Sequence, residues 1–210
     1  RRAGLRFDAL SFANIDLNSI LYDAENCIAK MAKIIDEKEI EKEFSARAKA
    51  RKELMTKLMM DPKTGIFYDY SFVDKKNSGF LSAASLFPYA FGISDDKKSA
   101  KAIFDRLDCK YGLSTCEERG KDQYLQWDFP HMWPPVVYIA YQGLRNVGLN
   151  KEADLLKKQY IDTVDKNFEK TGKLWEKYDT VKGDVSITVE YKTPTMLGWT
   201  AGIYEYLLKN

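Results

Sequence analysis

From Asp16 to about Ile35, apolar side chains recur every three or four positions, at Leu17, Ile20, Leu21, Ala24, Cys27, Ile28, Met31 and Ile34 or Ile35. This is the spacing of a helix with one apolar face, and Asp16 stands where its N-cap is expected. A second helix from about Glu37 to Met60 places Ile40, Phe44, Ala48, Leu54 and Leu58 on one side and alternating lysines and glutamates on the other. Asp61, Pro62 and Gly65 end it. Mixed charges at helical spacing read as a solvated face rather than a binding stripe. Residues 65–74, GIFYDYSFVD, alternate aromatics with period two and fit a short strand or an extended loop. Further helices are expected near 79–91, 96–107, 133–148, 149–168 and 196–208, the first of them bent or broken by Pro88. Residues 108–132 and 172–195 carry no helical period.

Seven helices joined alternately by short and long connections describe a series of helical hairpins whose elaborated loops gather on one face. Connections of that length are more often functional than accidental. No fixed-period repeat or linker composition divides the sequence, so residues 1–210 read as a single all-α domain. At 210 residues and 45% hydrophobic content the chain can bury a sizeable core, which excludes a disordered or fibrous class. Lys and Arg total 33 against 31 Asp and Glu, a net +2 with the signs interspersed, and no case for a nucleic-acid partner follows. The longest apolar runs, such as PPVVYIAY at 134–141, fall short of the roughly 20 residues of a membrane span, so no membrane partner is expected. Cys27, Cys109 and Cys116 leave at least one thiol unpaired. Cys109 and Cys116 can pair across their loop, but the plainer reading keeps both as thiols, since no signal peptide points to an oxidising compartment. The same absence tilts the localisation, otherwise open, toward the cytoplasm. A first residue of Arg rather than Met suggests a processed product or a fragment.

Two segments concentrate the candidate chemistry. Gln126 to Pro135, QWDFPHMWPP, combines two tryptophans, an amide, a carboxylate and three prolines in ten residues. Aromatic faces that stack on sugar C–H groups, beside amides and carboxylates that meet hydroxyls, are the parts of a carbohydrate site. From composition alone the plainer alternative is a proline-rich cap that packs its tryptophans into the core. The second segment runs from Leu174 to Trp199 and holds Trp175-Glu176-Lys177-Tyr178-Asp179, Glu190-Tyr191 and Gly198-Trp199-Thr200. A loop carboxylate flanked by aromatics suits general acid or base work, whereas an exposed Glu-Lys pair is the ordinary alternative. His131 is the only histidine, and a lone histidine in an aromatic loop is a hydrogen-bonded structural residue more often than a ligand. No metal and no cofactor are expected.

Taken together, these residues resemble the trehalases. QWDFPHMWPP is similar to their signature Gln-Trp-Asp-x-Pro-x-small-Trp-x-Pro, and EKYD followed by EY and GWT resembles the family's ending. IDLNSILY, FYDY and FLSAASLFPYAFG resemble further segments in the same order, so the likeness covers nearly the whole chain. It implies an (α/α)6 toroid of helical hairpins with the sugar site in the mouth of its funnel, and an O-glycosyl hydrolase that inverts the anomeric centre of trehalose or a related α-glucoside. By the same likeness Glu176 is the catalytic general base, Trp127 lines the sugar pocket and Glu190 contacts substrate hydroxyls. Asp128 orients the loop or a hydroxyl, and Gln126 and Trp133 complete the substrate-binding set.

Two positions depart from the family pattern. Met132 stands where a small residue is usual, which suggests a reshaped pocket wall behind Trp133. The family's acid aspartate precedes the part matched by Arg6-Phe7, and positions 1–5 read Arg-Arg-Ala-Gly-Leu. A toroid of twelve helices needs roughly 350 residues, so seven helices are expected to be its C-terminal half to two-thirds. The partners implied are a small-molecule sugar and either the missing N-terminal part of the barrel or a second copy of the chain. The rival reading is a non-catalytic carbohydrate-binding or scaffold relative that lacks the general acid.

Overall fold

The computed structural model describes residues 9–118, 120, 125–186, 191–195 and 198–210, and six α-helices of 11 to 22 residues account for its long elements, with a seventh of a single turn. The fold class is all-α; the strands are two-residue ladders that pin loops together. Two units are distinguished, one up to Phe80 and the other from Leu81 to Asn210.

In the first unit, α1 (Ile15–Ile34) and α2 (Lys38–Leu58) pack on each other. The position before α1 is Asn14, not Asp16 as expected, and the free N–H of Ile15 donates to Asp69 Oδ1 at 2.8 Å. Asp16 lies one residue into the helix, where a carboxylate still suits the helix dipole. Asp69 reaches the cap from a three-stranded antiparallel ladder in which Tyr70–Ser71 pairs with Phe12–Ala13 on one side and Lys76–Asn77 on the other. Burial pushes the Asp69 carboxyl above the usual carboxylate range.

The buried face of α1 differs from the periodic one. Leu17 and Met31 are 52% and 59% exposed, whereas Ile15, Ser19, Glu25, Ala29 and Ala32 point inward. Small side chains at Ser19, Ala29 and Ala32, with Ala48 buried on α2, allow close helix approach. The buried carboxylate is then matched from α2: Arg51 grips both oxygens of Glu25 at 2.9 and 2.8 Å and donates to Asn18 Oδ1 at 2.7 Å.

The second unit begins with a 3₁₀ turn, Ala83–Leu86, that runs into a single helical turn, α3 (Phe87–Ala90). The helix expected over 79–91 is therefore shorter, and Pro88 sits in its first turn, where the missing N–H has no partner to lose. Asp96 caps α4 (Lys97–Leu107) by accepting from the Lys98 and Ser99 amides at 3.0 and 3.3 Å. Pro134 and Pro135 open α5 (Pro134–Asn146), α6 (Asn150–Thr171) ends at Gly172 in the left-handed conformation, and α7 (Gly198–Lys209) follows. α5 is the hub and touches α3, α4, α6 and α7. A methyl at Gly143 would lie 2.9 Å from the Leu86 carbonyl oxygen, so only glycine lets α5 approach the 3₁₀ turn this closely.

Candidate active site

The two chemically dense segments meet in one antiparallel ladder, with His131 opposite Asp179 and Met132 opposite Tyr178. Thr180 extends the junction by donating its N–H and its hydroxyl to the Pro130 carbonyl at 2.9 and 3.0 Å. On the far side, the Thr115 N–H and hydroxyl hold the His131 carbonyl at 2.9 and 2.7 Å. Trp175 bridges to Thr195, the Glu176 N–H donates to the Pro194 carbonyl at 3.1 Å, and Trp199 Nε1 donates to the Glu176 carbonyl at 3.2 Å. The Glu176 backbone is thus fixed from both flanks.

Trp133, almost fully buried, is the centre of the aromatic cluster. Trp127 stacks on it with ring centroids 3.9 Å apart and planes 9° apart, and Trp199 meets it edge-on at 5.8 Å. Trp133 Nε1 donates to the Gln126 carbonyl at 2.9 Å, which ties the ring to the start of its own loop. The two alternatives posed by composition divide between the tryptophans: Trp133 packs inward and Trp127 stays half exposed.

Asp128 folds this loop, accepting from the Leu125 N–H at 2.9 Å through Oδ2 while the Cys116 thiol lies 3.9 Å from Oδ1. Gln126 is 5% exposed, and neither its side-chain Oε1 nor its side-chain Nε2 has a partner among the described residues. Glu190 lies outside the described residues. Met132 is fully buried, and its thioether fills the space that a Cβ at Gly112 would need. Its extra bulk is thus accommodated by a glycine on the neighbouring hairpin. No disulfide joins Cys27, Cys109 and Cys116 among the described residues.

Two carboxylates of this wall are buried, Asp179 in the ladder and Glu176 beside it. Glu176 Oε2 accepts from Lys177 Nζ at 2.8 Å and from the Tyr191 hydroxyl at 2.6 Å. Lys177, 2% exposed, lies over the rings of Trp133 and Tyr191 at 5.0 and 4.3 Å from their centroids. The pair is therefore not the exposed Glu-Lys couple that composition allows. The sequence pattern missed Lys177, Tyr191 and Trp199 as site residues; the aromatics flanking Glu176 were the available signal. Neighbouring Tyr178 is pushed up to about 12 by burial. The His131 imidazole is held below its usual range by burial, with Nδ1 2.9 Å from the Asp128 carbonyl and Nε2 buried without a partner among the described residues. Among the described residues, no group of three or more His, Cys, Asp or Glu side chains is placed to hold a metal ion, and no helix is long and apolar enough to cross a membrane.

The family model described as Trehalase matches residues 5–210. Among solved structures, neutral trehalase Nth1 from Saccharomyces cerevisiae is 29% identical with a TM-score of 0.78, over 95% of this chain and 38% of its own. The mannosylglycerate hydrolase of glycoside hydrolase family 63 from Thermus thermophilus, solved in complex with glucose, is 17% identical with a TM-score of 0.70, over 95% of this chain and 45% of its own. A protein described as a sialidase matches 86% of this chain with 18% of its own, at 16% identity and a TM-score of 0.72. The last two show a shared fold. The chain spans less than half the length of each of these proteins.

Proposed function

The chain belongs to the trehalase family, and from that premise we propose that it forms part of the catalytic domain of an O-glycosyl hydrolase acting on trehalose or a related α-glucoside with inversion. The observation that carries this reading is the ladder joining residues 131–132 to 178–179, because it brings Glu176 and the tryptophan cluster into one wall. Glu176 is the general base. It removes a proton from water as the water oxygen bonds to the anomeric carbon, while a carboxylic acid on the other face protonates the departing oxygen. In inverting enzymes the two carboxyl groups stand roughly 6.5–9.5 Å apart to leave room for the water. The family likeness matches no residue of this chain to that acid. Trp127 offers its open face to the apolar side of a pyranose, and Gln126 and Glu190 complete the binding set; Trp133, buried beneath Trp127, supports that ring instead of touching the sugar as the family likeness implies, and Asp128 shapes the loop.

The test is the stereochemistry of the products. Proton NMR of early trehalose hydrolysis by the intact enzyme should show α- and β-glucose released in equal amounts, because one ring is inverted and the other leaves unchanged. Release of α-glucose alone would mean retention and would overturn the mechanism.

A further inference from the structure

The carboxylate of Glu176 is bound asymmetrically. Oε2 receives two donors, Lys177 Nζ and the Tyr191 hydroxyl, whereas Oε1 has no partner among the described residues. A bend at Glu176 breaks the alternation of an extended chain, so two consecutive side chains turn toward each other instead of to opposite sides. Lys177 has no other carboxylate within ion-pair distance among the described residues, and its remaining surroundings include the faces of Trp133 and Tyr191. An ammonium this deeply buried loses most of its hydration, which only a well-placed anion and ring faces can offset.

We infer that Lys177 is a positioning residue for hydrolysis which, with Tyr191, commits Oε2 to fixed donors and leaves Oε1 as the atom that takes the proton from water. This inference rests on the reading of Glu176 as the base. In the step itself, the water O–H bond breaks and its proton passes to Oε1. The oxygen bonds to the anomeric carbon, and the glycosidic electron pair leaves on the departing sugar oxygen, which takes a proton from the general acid. Lys177 stays charged throughout and touches no reacting atom. Its ammonium holds the carboxylate in one rotamer, so that Oε1 faces the same point in every cycle.

The experiment compares Glu176→Gln, Lys177→Met, Tyr191→Phe and the double variants in the intact enzyme. Lys177→Met should lower kcat on the order of 10- to 100-fold with KM for trehalose within about twofold, because the interaction fixes the base and not the sugar. Tyr191→Phe, at a partly exposed ring, should fold normally and lower kcat several-fold, again with KM unchanged. In the Glu176→Gln background, neither second change should lower the residual rate further, since the group they position is gone. Near-normal kcat in Lys177→Met overturns the inference, as do effects confined to KM or losses that multiply in the Glu176→Gln background. Should Lys177→Met fail to fold, Tyr191→Phe and its double variant decide by the same criteria. Full turnover in Glu176→Gln would defeat the base assignment itself, an outcome distinct from the others.

Discussion

Trp127 lies parallel to Trp133 at 3.9 Å, one ring half exposed and the other sealed beneath it. The buried indole is anchored at both ends, by its Nε1 bond to the Gln126 carbonyl and by its edge contact with Trp199. Trp127 therefore offers a flat surface whose orientation is set by the core and whose outer face is available to a ligand.

Trp127→Ala should weaken a glucose-like inhibitor on the order of tenfold, because an aromatic contact contributes about 0.5–1.5 kcal/mol beyond the area it buries. The melting temperature should move little, since the ring is half exposed. Calorimetric titration beside a thermal melt checks both. A large drop in melting temperature with affinity retained would show that the ring serves packing alone.

His131 makes stability depend on pH in a defined direction. A carbonyl can only accept, so Nδ1 carries the proton toward Asp128, and protonation at Nε2 would place a charge where no partner waits among the described residues. The folded-state value lies below the ordinary 6.5, so the unfolded chain binds that proton more tightly. The stabilisation is complete above about pH 6.5 and is lost as pH falls toward the folded-state value. Denaturant titrations between pH 7.5 and 5.5 should show the decline, and His131→Gln should flatten it. An unchanged slope in that variant would contradict the assignment.

The apolar stripe of α1 that includes Leu17, Ile20 and Met31 faces outward in its unit. Uncovered surface of more than a few hundred Å² drives association. We propose that residues 1–210 produced alone self-associate or bind the remainder of a barrel, and that Leu17→Ser with Ile20→Ser and Met31→Ser reduces this. Sedimentation velocity reads the result, and a monodisperse unmodified monomer would argue against it.

Much of this architecture is legible in the sequence because its helices are long and well delimited. Periodicity places α1, α2, α4, α5, α6 and α7 to within three residues at each end. It misassigns the buried face of α1, because Ser19, the small Ala29 and Ala32 and the polar Glu25–Arg51 pair decide that contact, whereas the large apolar residues dominate a one-dimensional pattern. Pro88 is expected to bend or break a helix over 79–91, whereas it opens the short α3 after a 3₁₀ turn, a place that shows only in three dimensions. In the site, Trp127 and Glu176 stand out by type and spacing. Lys177 does not, because neighbours on an extended chain normally diverge, and only the bend at Glu176 and the ladder behind it turn the ammonium onto Oε2.

The role of Glu176 as base is tested most directly by supplying a nucleophile that needs no base. In the intact enzyme, Glu176→Gln should lower turnover of trehalose by about 10² to 10⁴ while folding and inhibitor binding persist. Glu176→Ala should be equally slow with water, yet regain rate with added azide and form β-glucosyl azide, since azide attacks the anomeric carbon without losing a proton. Near-normal turnover in Glu176→Gln, or an alanine variant that azide leaves unchanged, would contradict the account.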